Sequence, residues 1–268
     1  MPARLEALLL LARKGMPDMS ADASFSSRGN LTLKVEGASK RFGGLKVFQD
    51  ISFQVPQGEV VGVIGPNGAG KTTLINVMCG MLSPSSGRVL VGDRDITGLP
   101  FHAVSRMGIA RSFQQTNTFR SATVEENMFR ALRFGGAGHG PDLGVDALLK
   151  EFGLSRHLYD PSEKLPYGLQ KMLGLIMVLA ARPRFLLLDE PAAGLERRER
   201  TQVDRFVEHA RKTLGCGILI VEHDMDLVRR ICPHALVLEA GRLLAEGPPA
   251  EVLSRQDVID AYLGTSEE

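Results

Sequence analysis

Gly65-Pro66-Asn67-Gly68-Ala69-Gly70-Lys71-Thr72-Thr73 is the stretch of sequence that decides the fold of this chain. It follows the apolar run Val60–Ile64 and leads into a helical pattern that begins at Leu74. A buried strand, a glycine-rich loop and a helix, with the spacing G-x-x-x-x-G-K-T, are typical of a phosphate-binding loop. The sequence therefore predicts that the chain binds a nucleoside triphosphate through these residues.

Each residue type in this loop suits phosphate. Glycines allow successive backbone N–H groups to turn inward and approach phosphate oxygens closely. The start of the following helix adds unpaired N–H donors and a partial positive charge. Lys71 is long enough to reach the β- and γ-phosphates, and the hydroxyl of Thr72 suits Mg²⁺. We therefore expect a metal-bound triphosphate at this loop.

A second motif, Phe185-Leu186-Leu187-Leu188-Asp189-Glu190-Pro191, is an apolar run that ends in two carboxylates. Such a run is typical of a strand buried on both faces of a parallel sheet, where ligands bind at the C-terminal ends of the strands. Asp189 then suits Mg²⁺, directly or through water, and Glu190 is placed to orient the water that attacks the γ-phosphate. The alternative is that Asp189 and Glu190 are simply two solvated acids at a strand end. In that case the predicted Mg²⁺ would lack a carboxylate ligand.

Composition limits the classes of function. The chain has 268 residues, 44% of them hydrophobic and 24% charged, and its 32 basic and 31 acidic residues leave a formal net charge of +1. This balance argues against bulk electrostatic binding to nucleic acid or anionic lipid, and no apolar run is long enough to span a bilayer. Cys79, Cys216 and Cys232 lack C-x-x-C spacing and are predicted to be buried free thiols in a reducing cytosol.

The hydrophobic pattern divides the chain into layers. Short alternating strands ahead of the phosphate loop predict an antiparallel β layer beside an α/β core. Helical periods predict a helical subdomain at about 115–182, inserted into that core and closed by a strongly apolar helix at 167–181. We predict one domain over 30–264, with a flexible N-terminal extension at 1–29 and a short tail at 265–268.

The predicted extension leaves three interpretations open. The apolar run from Leu5 to Ala12 is compatible with a signal peptide, but Glu6 interrupts it and no clear cleavage site follows. A short amphipathic helix is the simpler interpretation. Translation that begins at Met16 or Met19 is the third.

Together, these motifs resemble the nucleotide-binding subunit of ATP-binding cassette (ABC) transporters over about residues 31–264. The resemblance implies a P-loop NTPase core with an antiparallel β subdomain and an inserted helical subdomain, and it implies ATP and Mg²⁺ as ligands. It implies that Phe42 stacks on adenine, although a half-exposed structural role fits its position too. It also implies that Gln114, with Gln115 as the neighbouring candidate, senses Mg²⁺ and contacts a membrane partner. His223 follows a buried strand, where a structural role is the commoner one, but the resemblance places it on the γ-phosphate.

One motif departs from the family. Leu165-Pro166-Tyr167-Gly168-Leu169 stands where the family has LSGGQ. The family serine would donate its hydroxyl and backbone N–H toward the γ-phosphate of the opposing subunit, and Pro166 supplies neither. Gly168 and the N-terminus of the next helix remain as anion donors. We hypothesise that the two sites of a dimer are unequal, so heterodimers with Glu190→Gln in one chain at a time should differ in single-turnover rate. Equal rates would count against this.

Within the family, several stretches resemble the importers of branched-chain amino acids, although importers of urea, short amides or aromatic acids look similar; these stretches are 41–44, 95–99, 108–114, 221–225 and 260–264. The resemblance implies an ATPase at the cytoplasmic face of the inner membrane, working with two transmembrane permease subunits and a second ATPase subunit, identical or different. A periplasmic solute-binding protein would act indirectly, and no nucleic acid is expected. ATP would close the pair of ATPase subunits and hydrolysis would reopen it.

Two alternatives remain open. A soluble ABC protein of translation or DNA repair carries two cassettes in one chain or a long coiled coil, and this sequence has neither pattern. A nucleotide-binding regulator that does not hydrolyse ATP is compatible with Pro166, whereas Glu190 and His223 argue against it. The transported substrate does not follow from the sequence, because this subunit does not contact it.

Overall fold

The computed structural model describes residues 31–113, 117–134 and 144–263. The predicted extension at 1–29, the predicted tail at 265–268 and the candidate residue Gln114 lie outside these ranges. The described residues form an antiparallel sheet, a mostly parallel sheet and the helices that pack against them.

The antiparallel sheet lies at the N-terminal end of the chain. Its strands are β1 (Thr32–Phe42), β2 (Leu45–Pro56), β4 (Ser86–Val91) and β5 (Arg94–Asp95). Their order across the sheet is β2-β1-β4-β5. Along β2, Ile51, Phe53 and Val55 are buried and the residues between them are exposed. This period of two places one face of the sheet on the core and the other in solvent.

The second sheet carries the motifs. Its strands are β3 (Val60–Ile64), β6 (Ile109–Arg111), β7 (Phe185–Asp189), β8 (Gly217–Val221), β9 (His234–Glu239) and β10 (Arg242–Gly247). Their order is β10-β9-β3-β8-β7-β6. Neighbouring strands are parallel, except that β10 pairs with β9 antiparallel. Every residue of β3, β7 and β8 is buried, as expected for apolar strands covered on both faces. Their carboxyl ends therefore lie side by side.

Nine helices occur in the described residues, and three of them stand in succession between β6 and β7. They are α1 (Lys71–Met78), α2 (Phe101–Arg106), α3 (Val124–Phe134), α4 (Val145–Glu151), α5 (Tyr167–Leu179), α6 (Arg197–Leu214), α7 (Met225–Ile231), α8 (Pro249–Val252) and α9 (Gln256–Leu263). α6 begins with a capping box, in which Glu196 and Glu199 each accept the backbone N–H of the other. This exchange satisfies N–H groups that a helix N-terminus otherwise leaves unpaired.

The parallel sheet separates two hydrophobic cores. Val60 and Ile64 of β3 belong to the core shared with α3–α8. Val61 and Val63, on the opposite face, belong to the core shared with α1 and the antiparallel sheet. The same alternation along β7 and β8 divides their side chains between the cores. The sheet is thus clamped on both faces, which holds the carboxyl ends of its strands in fixed relative positions.

The predicted fold class is confirmed. The short strand β5 forms because Arg94 and Asp95 pair with the end of β4, and neither β5 nor α2 was predicted. Strand β6 ends at Arg111, although the Ser112 N–H still donates to the carbonyl oxygen of Leu187 in β7. The domain boundaries remain a prediction.

The expectation for the three cysteines is also met. Cys79, Cys216 and Cys232 are buried free thiols, and burial raises the pKa of Cys216 and Cys232 to about 12. Within the described ranges, no helix has both the length and the apolar character to cross a membrane.

Candidate active site

The phosphate loop turns sharply between β3 and α1. Gly65 has φ 151°, and a Cβ placed there would lie 2.1 Å from the carbonyl oxygen of Leu238, so the neighbouring strand β9 leaves no room for a side chain. Gly68 has φ 80° with open space around it. Its requirement for glycine is therefore conformational. The loop can form only because these positions are glycines.

The start of α1 is free to bind an anion. Its N-cap is Gly70, no side chain caps the helix, and its first turn contains no acidic residue. The N–H groups of a first helical turn have no partner within the helix, and they carry the positive end of the helix dipole. This N-terminus therefore fits a phosphate group.

Lys71 lies folded back over the loop. Its Nζ donates to the carbonyl oxygens of Gly65 at 2.7 Å and Pro66 at 2.8 Å, and the residue is only 6% exposed. Burial lowers the pKa of this ammonium, while the charges of Glu190 and Asp189 oppose the shift. The ammonium thus lies at the loop, between the helix N-terminus and the carboxylates of β7.

Asp189 lies at the end of β7, where it meets α1 and β6. Its Oδ1 is 3.4 Å from the hydroxyl oxygen of Thr72, and its Oδ2 is 2.9 Å from Nη2 of Arg111. Burial raises the pKa of the Asp189 carboxyl, and the Arg111 guanidinium opposes this. The carboxylate and hydroxyl oxygens of Asp189 and Thr72 are ligands that suit Mg²⁺.

These oxygens are too few for a complete metal site. Among the described residues there is no cluster of three or more His, Cys, Asp or Glu side chains that could hold a metal ion. Mg²⁺ bound by one or two protein side chains takes its other ligands from phosphate and water. The donor set therefore fits a metal that arrives with a nucleotide.

Glu190 and His223 come together from adjacent strands. Oε1 of Glu190 is 2.8 Å from Nε2 of His223, and the two side chains are 16% and 40% exposed. Glu190 has φ 48°, which is unusual for a residue with a side chain, and its backbone N–H donates to the carbonyl oxygen of Val221. A strained backbone that the surrounding structure maintains is a common feature of functional sites.

Phe42 and Gly168 lie apart from this cluster in sequence and in their contacts. Phe42 is 48% exposed near the end of the β1–β2 hairpin, and Nζ of Lys40 is 4.8 Å from its ring centroid. A Cβ placed on Gly168 would lie 2.2 Å from Oε1 of Glu199. The nearest neighbours of Gly168 thus belong to α6, and Pro166 precedes it as an N-cap without a side-chain hydrogen bond.

Some residues at the site were not predicted from sequence. Three buried charged residues lie beside the predicted ones: Arg111 beside Asp189, Lys171 beside Glu190, and Glu222 beside His223. Tyr262 on α9 lies against the backbone of Gly65, and burial raises the pKa of its hydroxyl to about 12. The available signal was a charged residue at the end of a short apolar run, as Arg111 follows Ile109-Ala110 and Glu222 follows Ile218–Val221. Tyr262 offered no comparable signal.

Comparisons with known proteins show which family this chain resembles. A family model described as ABC transporter matches residues 48–193, and one described as branched-chain amino acid ATP-binding cassette transporter matches residues 242–268. The chain is 37% identical over 248 residues to the high-affinity branched-chain amino acid transport ATP-binding protein LivG of Salmonella typhimurium strain LT2, covering 87% of this chain and 97% of that protein.

The chain is also similar to an ATP-binding protein of an export system and to a solved structure. The chain is 34% identical over 236 residues to the lipopolysaccharide export system ATP-binding protein LptB of Escherichia coli K12, again covering 87% of this chain and 97% of that protein. A crystal structure of the ADP conformation of an ATP-binding cassette of an ABC transporter superimposes with a TM-score of 0.76 at 28% identity, covering 88% of this chain and 100% of that one.

Proposed function

The chain belongs to the ABC transporter family of ATP-binding subunits, and from this premise we propose that it powers the import of branched-chain amino acids or of a related small amino acid or amide. It binds and hydrolyses ATP. The direction and the substrate are supported by the match of residues 242–268 to the branched-chain amino acid model and by the similarity to LivG.

The contact that carries the catalytic proposal is the 2.8 Å approach of Glu190 to His223, in the loops that follow β7 and β8. Glu190 orients the attacking water and accepts its proton, and His223 holds the Glu190 carboxylate in place and contacts the γ-phosphate. Catalysis by these residues is mainly positioning and charge stabilisation, as is general for phosphoryl transfer.

The nucleotide is held by the loop residues Gly65–Thr73. Backbone N–H groups of the loop and of the α1 N-terminus bind phosphate oxygens, and Lys71 moves its ammonium from the carbonyls of Gly65 and Pro66 onto the phosphates. Phe42 stacks on the adenine from the tip of the β1–β2 hairpin.

Thr72 and Asp189 hold Mg²⁺, and Gln114 contributes to the same site by resemblance to the family. Bound Mg²⁺ neutralises charge that develops on the phosphates. Burial raises the pKa of Asp189, and the adjacent Arg111 guanidinium and Thr72 hydroxyl favour the ionised form that a metal requires.

The working assembly contains two ATPase subunits and two membrane permease subunits at the cytoplasmic face of the inner membrane. Gly168 and the N-terminus of α5 then face the nucleotide bound by the second ATPase subunit. A solute-binding protein delivers the substrate from the other side of the membrane. These partners follow from the family and not from contacts within this chain.

The test uses this chain co-expressed with its permease subunits and reconstituted into proteoliposomes. We expect ATP-dependent accumulation of leucine, isoleucine or valine in the presence of the solute-binding protein, and its loss with Glu190→Gln. Glu208→Gln is the matched control, because Glu208 is an exposed acid that pairs with Lys212 on α6. Release of lipopolysaccharide without amino acid uptake would refute import. An unchanged rate of phosphate release with Glu190→Gln would refute the catalytic proposal.

A further inference from the structure

Two oppositely charged side chains are buried behind the Glu190–His223 pair, and neither has a role in the mechanism above. Glu222 follows the end of β8 and is 3% exposed; Lys171 lies in the second turn of α5 and is also 3% exposed. Buried charges of this kind are rare unless they are paired and hydrogen-bonded. The groups that hydrogen-bond to Glu222 and Lys171 therefore show which parts of the backbone these two side chains fix in place.

Glu222 joins the two loops that carry the pair. Its Oε1 accepts the backbone N–H of Ala192 at 2.8 Å, and its Oε2 accepts the backbone N–H of His223 at 3.3 Å. Ala192 lies two residues after Glu190, in the loop after β7. Hydrogen bonds from backbone N–H groups to a carboxylate are stronger than those between neutral groups. One carboxylate thus sets the distance between the loop of Glu190 and the loop of His223.

Lys171 contacts the same loop, the one that follows β7. Its Nζ donates to the backbone carbonyl oxygen of Glu190 at 3.2 Å. Burial lowers the pKa of this ammonium, and the negative charges of Glu222, Glu190 and Asp189 oppose the shift. Burial likewise raises the pKa of Glu222, and its backbone hydrogen bonds oppose that shift. The charge of Glu222 therefore supports the ionised form of Lys171, and backbone N–H groups support the ionised form of Glu222.

The backbone of Glu190 needs such support. Its φ of 48° lies in a region that residues with side chains seldom adopt, and such a conformation persists only when its neighbours determine it. Lys171 binds the carbonyl of this residue, and Glu222 binds the N–H of Ala192 further along the same loop. The two side chains thus constrain the peptide groups on which the direction of the Glu190 side chain depends.

We propose that Glu222 and Lys171 are positioning residues, which hold the Glu190 carboxylate in register with His223 for attack by water on the γ-phosphate. This inference rests on the proposed ATPase mechanism. Lys171 also connects α5, whose first residues belong to the motif Leu165–Leu169 that departs from the family, to the backbone of Glu190. A simple stabilising role is the competing explanation, and it makes a different prediction for variants in which both charges are removed.

The experiment compares steady-state ATP hydrolysis and thermal unfolding of the reconstituted complex. Lys171→Met removes the donor to the Glu190 carbonyl, and Glu222→Gln removes the charge that accepts the N–H groups of Ala192 and His223, so we expect each to lower both stability and kcat. The two buried charges attract each other, so the loss of stability in the double variant should be smaller than the sum of the two single losses. If the residues position Glu190, kcat of the double variant stays at least about tenfold below the parental value, with KM for ATP within about twofold.

Two further variants sharpen the result. Lys171→Arg keeps a cationic donor and should retain kcat within about threefold of the parental value. Arg230→Met is the matched control, because it removes an exposed ion pair with Asp204 on the outer surface of α6 and α7, and it should leave kcat unchanged. Recovery of kcat together with stability in the double variant would overturn the proposal, as would a rise in KM at constant kcat. A parental complex without ATPase activity would instead contradict the proposed function.

Discussion

Replacement of Arg111 by methionine tests the buried ion pair behind the predicted metal ligand. Nη2 of Arg111 is 2.9 Å from Oδ2 of Asp189, and the side chains are 5% and 2% exposed. The guanidinium also donates to Asn76 on α1. Methionine preserves most of the apolar volume but removes every donor. Among the described contacts, the Asp189 carboxylate would then keep the Thr72 hydroxyl, at 3.4 Å, as its one remaining hydrogen-bond partner.

The magnitude follows from burial. Removing one partner of a buried pair leaves an uncompensated charge and lowers the free energy of unfolding by about 3–5 kcal/mol. For a chain of this size, each kcal/mol lowers Tm by about 2–4 °C, so Tm should fall by about 6–20 °C. In Arg111→Met/Asp189→Asn both charges are absent, and the two losses should be less than additive by about 1 kcal/mol or more.

The assay is urea and thermal unfolding of the full chain without nucleotide, followed by circular dichroism. Arg88→Met is the control, because the pair of Arg88 with Glu36 has a similar length of 2.8 Å but its side chains are 61% and 43% exposed; this variant should lose less than about 1 kcal/mol. The reasoning fails if Arg111→Met is no less stable than the control, or if the losses of Arg111→Met and Asp189→Asn simply add.

Three further predictions concern packing, nucleotide affinity and pH. Gly168→Ala should lower the free energy of unfolding by less than about 1 kcal/mol, because its Cβ would lie 2.2 Å from Oε1 at the movable end of the Glu199 side chain, whose carboxylate would give up the N–H of Glu196; in a Glu199→Ala background thermal unfolding should show no loss, and an equal loss there would contradict this. Lys71→Met should weaken ATP binding, measured by calorimetry, by about 10- to 150-fold, the equivalent of a hydrogen bond to a charged group; unchanged affinity would exclude Lys71 as a phosphate ligand. Burial raises the pKa of the Cys216 and Cys232 thiols to about 12, so the folded chain binds more protons than the unfolded chain between about pH 9 and 12. This stabilisation is complete below that window and is lost as pH rises through it, by about 1.4 kcal/mol per pH unit for each thiol; denaturation of the double alanine variant should show a shallower decline, and an identical pH dependence would refute the argument.

The parts of the site that sequence predicted are contiguous in the chain. The phosphate loop is a strand, a turn and a helix in immediate succession, so the glycine spacing already defines where its N–H groups point. The motif that ends in Asp189 and Glu190 is similarly local, because an apolar run of this length reads as a strand buried on both faces. Both motifs therefore needed no knowledge of distant residues, and the fold class followed from their order.

Elements whose stability comes from neighbours were less predictable. β5 consists only of Arg94 and Asp95, too few residues to show a period, and it forms because the end of β4 lies beside it. The short helix α2 has only Val104 buried, so its sequence lacks the apolar stripe that marks a longer helix. Packing determined both elements.

The amino-acid sequence by itself determined which residues are predicted to face a nucleotide, since a phosphate loop and a strand-end acid pair carry their geometry in their spacing. Only the tertiary structure decided what lies behind them. Arg111 meets Asp189 across 78 positions of sequence, and Glu222 meets Ala192 across 30. These contacts exist because β6, β7 and β8 are adjacent in the sheet. The physical reason is that a buried charge is stable only beside its partner, and strand order, not sequence spacing, decides which partner that is.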